Sequence, residues 1–220
     1  MPLNDLPPHA LIFDLDGLLV DSEPTWFRVE GAFLRELGFV WTREAADRCM
    51  GQGTPNTLRV WHELFGVEVD VARDTERIID RVIGLADDIP MKPGALELLG
   101  IARKNRTPMA VASSSPRRLI EAVLEAKKIR HLFDAVASGQ EVARSKPAPD
   151  VFLRAAELLG VAPEACVVLE DAIAGVKGGL AAGARVLAVP SVSGDGFGQL
   201  ATWVVADLHE AARVLFPGLT

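Results

Sequence analysis

The sequence predicts an α/β fold: a parallel sheet flanked by helices, with an all-helical block inserted after the first strand. Three observations predict it. Short apolar runs recur along the chain, helical periodicities fill most gaps between them, and the long stretch from Ser22 to about Ile89 has helical spacing but no strand.

The first run, Ala10-Leu-Ile-Phe13, lies between prolines and Asp14 and has the length of a buried parallel strand. Met109–Ala112, Ala135–Ala137, Cys166–Leu169 and Arg185–Val189 repeat the pattern, and Trp203–Val205 forms a short sixth run. Helical spacing covers 94–104, 117–127, 150–159 and 173–182. Inside the strandless stretch, helices are expected over 23–37, 43–50, 55–65 and 70–87, punctuated by Gly38, Gly51, Gly53 and Gly66. We divide the chain into a sheet-bearing core, residues 1–21 with 90–220, and a helical insertion, residues 22–89. Both connections leave from the end of the first strand, where an insertion can open and close.

Composition excludes whole classes of function. The 220 residues are 49% hydrophobic, enough apolar surface to fold, and carry 23 Lys+Arg against 30 Asp+Glu, a formal charge of −7. That balance argues against a binder of nucleic acid or of an anionic membrane. One small anionic substrate stays open if a metal or a few local cations supply positive charge. The two cysteines, Cys49 and Cys166, make no disulfide framework. Met1–Pro8 lacks the basic and apolar regions of a signal peptide, and no apolar run reaches the ~18 residues of a membrane helix. A reducing cytoplasm is the expected location.

In open parallel sheets, ligands bind beyond the carboxyl ends of the strands. The residues there are Asp14-Leu-Asp-Gly17, Ser113-Ser-Ser-Pro116, Ser145-Lys-Pro-Ala-Pro-Asp150 and Glu170-Asp171. The crevice would hold up to four carboxylates: Asp14, Asp16, Glu170 and Asp171. Two like charges about 4 Å apart repel by about 4 kcal/mol at an effective dielectric near 20, so such a cluster needs a cation or a shared proton. An all-oxygen donor set favours Mg²⁺ over Zn²⁺ or copper, and the four scattered histidines show no metal spacing. Asp14 can attack phosphorus, and a carboxylic acid two residues on can protonate the leaving oxygen. Ser113 offers a hydroxyl, and Ser114 and Ser115 offer backbone N–H groups at a helix start, although a serine run also serves as an ordinary helix cap. The prolines around Lys146 stiffen the loop that presents its ammonium to a transferring phosphoryl group. Glu170 and Asp171 also read as helix-capping acids.

Asp14-Leu-Asp-Gly-Leu-Leu-Val-Asp-Ser22, Ser145-Lys-Pro-Ala-Pro-Asp150 and Leu169-Glu-Asp171 together resemble the haloacid dehalogenase-like hydrolase superfamily. The likeness is to its subfamily with an all-helical cap, which includes β-phosphoglucomutase-like proteins and sugar-phosphate phosphatases, and it runs from Leu11 to about Val189. It implies a Rossmann-like core with a cap over residues 22–89. It makes Asp14 the nucleophile, Asp16 the acid/base, Ser113 a phosphate ligand and Lys146 the holder of nucleophile and phosphoryl oxygens. Mg²⁺ would be held by Asp14, the main-chain carbonyl of Asp16, and Asp171, with Glu170 bound directly or one contact removed. The family's dehalogenases lack an acid at the second position, so Asp16 favours phosphoryl transfer. The mutase branch carries a histidine twelve residues after its nucleophile; here position 26 is Trp. Ala172 stands where relatives have Ser or Thr, and Gly175 and Ala182-Gly183 fit a helix that packs closely on the sheet.

In the insertion, Gly51-Gln-Gly-Thr54 resembles a loop that reaches the active site in relatives, so Gln52 and Thr54 can contact a substrate hydroxyl; an interhelix turn is the alternative. Trp26, Trp41 and Trp61 read as core or interface of the insertion, and Arg117 as a solvated helix residue. The expected activity is Mg²⁺-dependent hydrolysis of a small phosphate monoester, a sugar phosphate above all, through an aspartyl-phosphate. A phosphosugar mutase, a phosphoglycolate phosphatase and a non-catalytic phosphometabolite binder are the alternatives. A small phosphorylated metabolite is the expected partner, and a monomer suffices for this chemistry.

Overall fold

The structure, a computed structural model, describes residues 8–49, 53–191 and 196–218. The chain divides into two compact units, Met1–Asp21 with Pro90–Thr220, and Ser22–Ile89.

The larger unit is a six-stranded parallel sheet with helices around it. Strand β1 (Ala10–Phe13) lies inside it, with β2 (Met109–Ser113) and then β3 (Ala135–Ser138) on one side. On the other side come β4 (Cys166–Glu170), β5 (Arg185–Ala188) and the two-residue β6 (Trp203–Val204). The order β3-β2-β1-β4-β5-β6 reverses direction between β1 and β4, which is where an open parallel sheet leaves a crevice. Register aligns the strand ends: Phe13 pairs with Val111 and with Leu169, and Ser113 pairs with Ser138. Every residue of β1 to β4 is buried, which explains why these strands read as continuous apolar runs.

The helices of the smaller unit are α1 (Glu23–Glu36), α2 (Arg43–Cys49), α3 (Thr54–Phe65) and α4 (Val71–Ile83). Those of the sheet unit are α5 (Ala95–Lys104), α6 (Arg117–Ala126), α7 (Asp150–Leu159), α8 (Ile173–Ala181) and α9 (Leu208–Leu215). Helix α7 packs on β1, β2 and β3, and α8 on β4 and β5. Alanines and valines on that sheet face (Ala10, Ala110, Ala112, Ala135, Ala137, Val168, Val186) let the helices approach closely and surround Phe152.

Two expectations need correction. The helix expected over 70–87 ends at Ile83, and a separate 3₁₀ turn covers Ala86–Asp88. Gly84 takes the C-cap, where a residue of poor helix propensity ends the run, and the Leu85 N–H turns back to the Val82 carbonyl at 3.0 Å. Helix α9 has no counterpart in the sequence reading, yet its start signal is present: Asp207 accepts from the Glu210 N–H at 2.8 Å, and Glu210 reaches back to the Ala206 N–H at 2.8 Å. Leu208, Ala211, Ala212 and Leu215 then form its buried face.

The smaller unit has its own apolar centre of Val29, Phe33, Leu34, Leu58, Trp61, Ile78, Ile79 and Val82. Trp41 and Trp61 meet edge to face at 5.3 Å, so these two belong to that core, while Trp26 is half-buried. Both cysteines are free and buried. No helix among the described residues is long and apolar enough to cross a membrane.

Burial pushes the carboxyl group of Glu30 on α1 up from 4.5 to about 7. A raised folded-state value means that stability is fully present below about 4.5, falls as the pH climbs through about 7, and is level above that. Glu30→Gln is therefore expected to unfold with the wild type near pH 4.5 and to be more stable by about 3 kcal/mol at pH 8. Thermal unfolding at the two pH values checks this; an identical difference at both would show that Glu30 is not desolvated.

Candidate active site

Each strand of the central group ends in a polar side chain aimed at the crevice. The ladder continues one residue past β1, with the Asp14 N–H donating to the Leu169 carbonyl at 3.0 Å, which places Asp14 at the level of Glu170. The chain then turns tightly: the Gly17 N–H donates to Val20 at 2.8 Å, and Val20 pairs with Met91. Gly17 has φ +91°, and a Cβ there would overlap the carboxylate of Asp171, so glycine is required twice over.

Asp14, Glu170 and Asp171 are all buried, and one oxygen of each lies within 4.8 Å of the others. Lys146, on the loop before α7, projects its ammonium among them. Its Nζ donates to Asp14 Oδ1 at 2.5 Å, to Glu170 Oε1 at 2.6 Å and to the Ala112 carbonyl at 3.1 Å. These three acceptors use all three N–H bonds of the ammonium. The same Nζ sits 4.9 Å from the centre of the Phe152 ring. The second oxygen of Glu170 accepts from the N–H groups of Asp171 at 3.1 Å and Ala172 at 3.3 Å. Ala172 is the N-cap of α8 and makes no side-chain cap; Glu170 ties down the two N–H groups that lead into the helix. A Cβ at Gly175 would overlap this carboxylate, so Gly175 clears space for Glu170. Gly178 and Gly179 are the residues of α8 that meet Phe152, Val168 and Val186.

The electrostatics are unbalanced. Burial is the main cause that raises Asp14 well above the ordinary carboxylate value; Lys146 opposes it, and Glu170, Asp171 and Asp16 reinforce it. Burial and then Glu170 push Asp171 up to about 7. For Lys146, burial works against the charged form, but Asp14 and Glu170 outweigh it and hold the ammonium above its usual range. Three carboxylates and one ammonium leave two negative charges when all are ionised. Oxygen donors and that excess suit a hard divalent cation.

Asp16 lies apart from this trio. Its Oδ2 accepts from Ser115 Oγ at 2.8 Å and from Ser113 Oγ at 3.3 Å, and the Ser115 N–H donates to Ser113 Oγ at 3.0 Å. Ser113 is buried at the end of β2. Ser114 is exposed, and its backbone lies against Gly139. Helix α6 takes Pro116 as its N-cap without any side-chain cap, so the serine run is not a helix cap.

Thr54 is buried at the start of α3 in the smaller unit, and Gln52 lies outside the described residues. Arg117 is a part-exposed residue of α6, as expected of a solvated helix position, and it is tied down. Its guanidinium pairs with Glu141, donates to Glu121 at 3.3 Å and donates to the Val136 carbonyl at 2.6 Å. Sequence reasoning missed Ser138, which ends β3 as Ser113 ends β2, because attention after the third run went to Ser145–Asp150 and passed over the residue next to the strand. A cavity of about 510 Å³ lined by Arg103, Arg106 and Asp134 opens at the opposite, amino-terminal ends of β2 and β3 and contains none of these groups.

The family model for haloacid dehalogenase-like hydrolases matches residues 11–189. The chain is a haloacid dehalogenase-like hydrolase. Among curated relatives, the hydrolase is 35% identical to hexitol phosphatase B of Escherichia coli K12 over 185 residues, 83% of each chain. It is 32% identical to protein CbbY of Rhodobacter capsulatus, over 96% of this chain and 98% of that one. Among solved structures, CbbY of Rhodobacter sphaeroides in complex with phosphate superposes on the hydrolase with a TM-score of 0.84 at 27% identity, covering 92% of this chain and 96% of that one. A β-phosphoglucomutase-like structure from Thermotoga maritima gives 0.77 at 28% identity, over 94% and 97%.

Proposed function

We propose that this hydrolase is a Mg²⁺-dependent phosphatase that cleaves a small phosphorylated sugar or polyol through an aspartyl-phosphate on Asp14. The observation that carries the reading is the convergence of Asp14, Glu170 and Asp171 around one ammonium, Lys146. That arrangement supports binding of a phosphoryl group in a site that otherwise holds an excess of negative charge. Hexitol phosphatase B, at 35% identity, supports the substrate class.

In this mechanism Lys146 steers one Asp14 oxygen and leaves the other to attack phosphorus. Ser113 donates its hydroxyl to a phosphoryl oxygen. Asp16 protonates the departing alkoxide and then takes a proton from the water that opens the acyl phosphate. Asp14 and Asp171, with the Asp16 carbonyl, would hold Mg²⁺, and Glu170, whose oxygens already serve Lys146 and two N–H groups, stands behind them. When bound, the cation offsets charge on the transferring phosphoryl oxygens.

A phosphosugar mutase is the second reading, favoured by likeness to β-phosphoglucomutase-like structures; Trp26, where the mutase branch has histidine, weighs against it. Phosphate release from a panel of sugar and polyol phosphates, with Mg²⁺ or with chelator, tests the proposal. Release that needs the metal is expected. Conversion of β-glucose 1-phosphate to its isomer without free phosphate would establish the mutase instead.

A further inference from the structure

Ser115 has every polar group engaged. Its N–H donates to Ser113 Oγ at 3.0 Å, its hydroxyl donates to Asp16 Oδ2 at 2.8 Å, and its carbonyl accepts from Ser138 Oγ at 2.7 Å. Ser138 is wholly buried at the end of β3. Its hydroxyl also accepts from the Gln140 N–H at 3.2 Å, and its own N–H is met by Glu141 at 3.3 Å. Ser115 is thus anchored to the sheet at one end and to Asp16 at the other. Its hydroxyl is not spent on capping α6, whose N-cap is Pro116.

A hydroxyl carries one proton. Ser113 directs its proton to Asp16 at 3.3 Å in this structure. Once Ser113 gives that proton to a phosphoryl oxygen, Ser115 is the serine of the pair left to hold Asp16.

We propose that Ser115 is a positioning residue that fixes the Asp16 carboxyl group for proton transfer to the leaving oxygen. The inference rests on the acid/base reading of Asp16 above. In the step concerned, an Asp14 oxygen bonds to phosphorus, the bond from phosphorus to the leaving oxygen breaks, and the Asp16 proton passes to that oxygen. A poorly basic leaving group departs without much help, whereas a basic one needs a well-placed acid.

The test compares kcat/KM for p-nitrophenyl phosphate and for phenyl phosphate, whose leaving group is more basic. This ratio reports the steps up to phosphoenzyme formation. Ser115→Ala is expected to lower it about tenfold for phenyl phosphate and less than about threefold for p-nitrophenyl phosphate. Ser115→Thr, which keeps the hydroxyl, should restore both. Asp16→Asn should show the same selectivity with a larger loss. If Ser115→Ala does not fold, Ser115→Cys, with a weak donor in nearly the same volume, replaces it. An equal loss on both esters, or a rise in KM with kcat unchanged, would overturn the proposal while a selective Asp16→Asn leaves the acid role standing. An unselective Asp16→Asn would remove that role and the proposal with it.

Discussion

Asp14→Asn is expected to lose phosphate release by about 10³-fold or more while its fold and thermal stability are kept. The amide is isosteric, and its oxygen can still accept from Lys146 where Asp14 Oδ1 does at 2.5 Å. The second oxygen, the nucleophile of the proposed mechanism, disappears. Burial and three neighbouring carboxylates already disfavour a charge at this position, so neutralising it should hold or raise the unfolding temperature. A variant that unfolds normally and is inactive would separate chemistry from architecture. Near-wild-type phosphate release would end the role assigned to Asp14.

Lys146→Met has the opposite character, because it should damage both. The ammonium side chain is 9% exposed and lies between carboxylates that are 8% and 1% exposed. Removing one partner of a buried pair leaves its counter-charges uncompensated, which costs about 3–5 kcal/mol. For a chain of this size that lowers the unfolding temperature by roughly 10 °C. Activity should vanish as well, since nothing then steers Asp14 or offsets phosphoryl charge. Adding Glu170→Gln should recover part of the stability but none of the activity. Calorimetry of the single and double variants decides the matter: a single variant as stable as the wild type would mean that the ammonium is not the partner holding these carboxylates.

Much of this fold was legible in the sequence because strands buried on both faces leave an unmistakable mark. The runs from Ala10, Met109, Ala135 and Cys166 are strands whose every residue is buried. The polar residues at the carboxyl ends of these runs then pointed to Asp14, Ser113, Glu170 and Asp171, since parallel register brings those ends together. Helix α9 went unread although Asp207 and Glu210 announce it, and Gly84 went unread as a helix end. The network around Ser115 was beyond linear reading. It depends on the pairing of Ser113 with Ser138 across two strands, and nothing local in Ser-Ser-Ser-Pro separates a helix cap from a carboxylate holder. Gly175 was read as a packing residue of its helix, because only the path of α8 over β4 reveals the carboxylate it makes room for.

The position of β1 has a consequence for how the protein is made. This strand is made before the others of its sheet, yet its two hydrogen-bonding edges are satisfied by partners that begin at residue 109 and at residue 166. Until the chain has been synthesised as far as β4, one backbone edge of β1 is bare and open to unwanted association with other nascent chains. Asp14, the nucleophile of the proposed mechanism, meanwhile lacks Glu170 and Asp171. A translation product that stops before residue 166 therefore carries Asp14 without the other two carboxylates of its cluster.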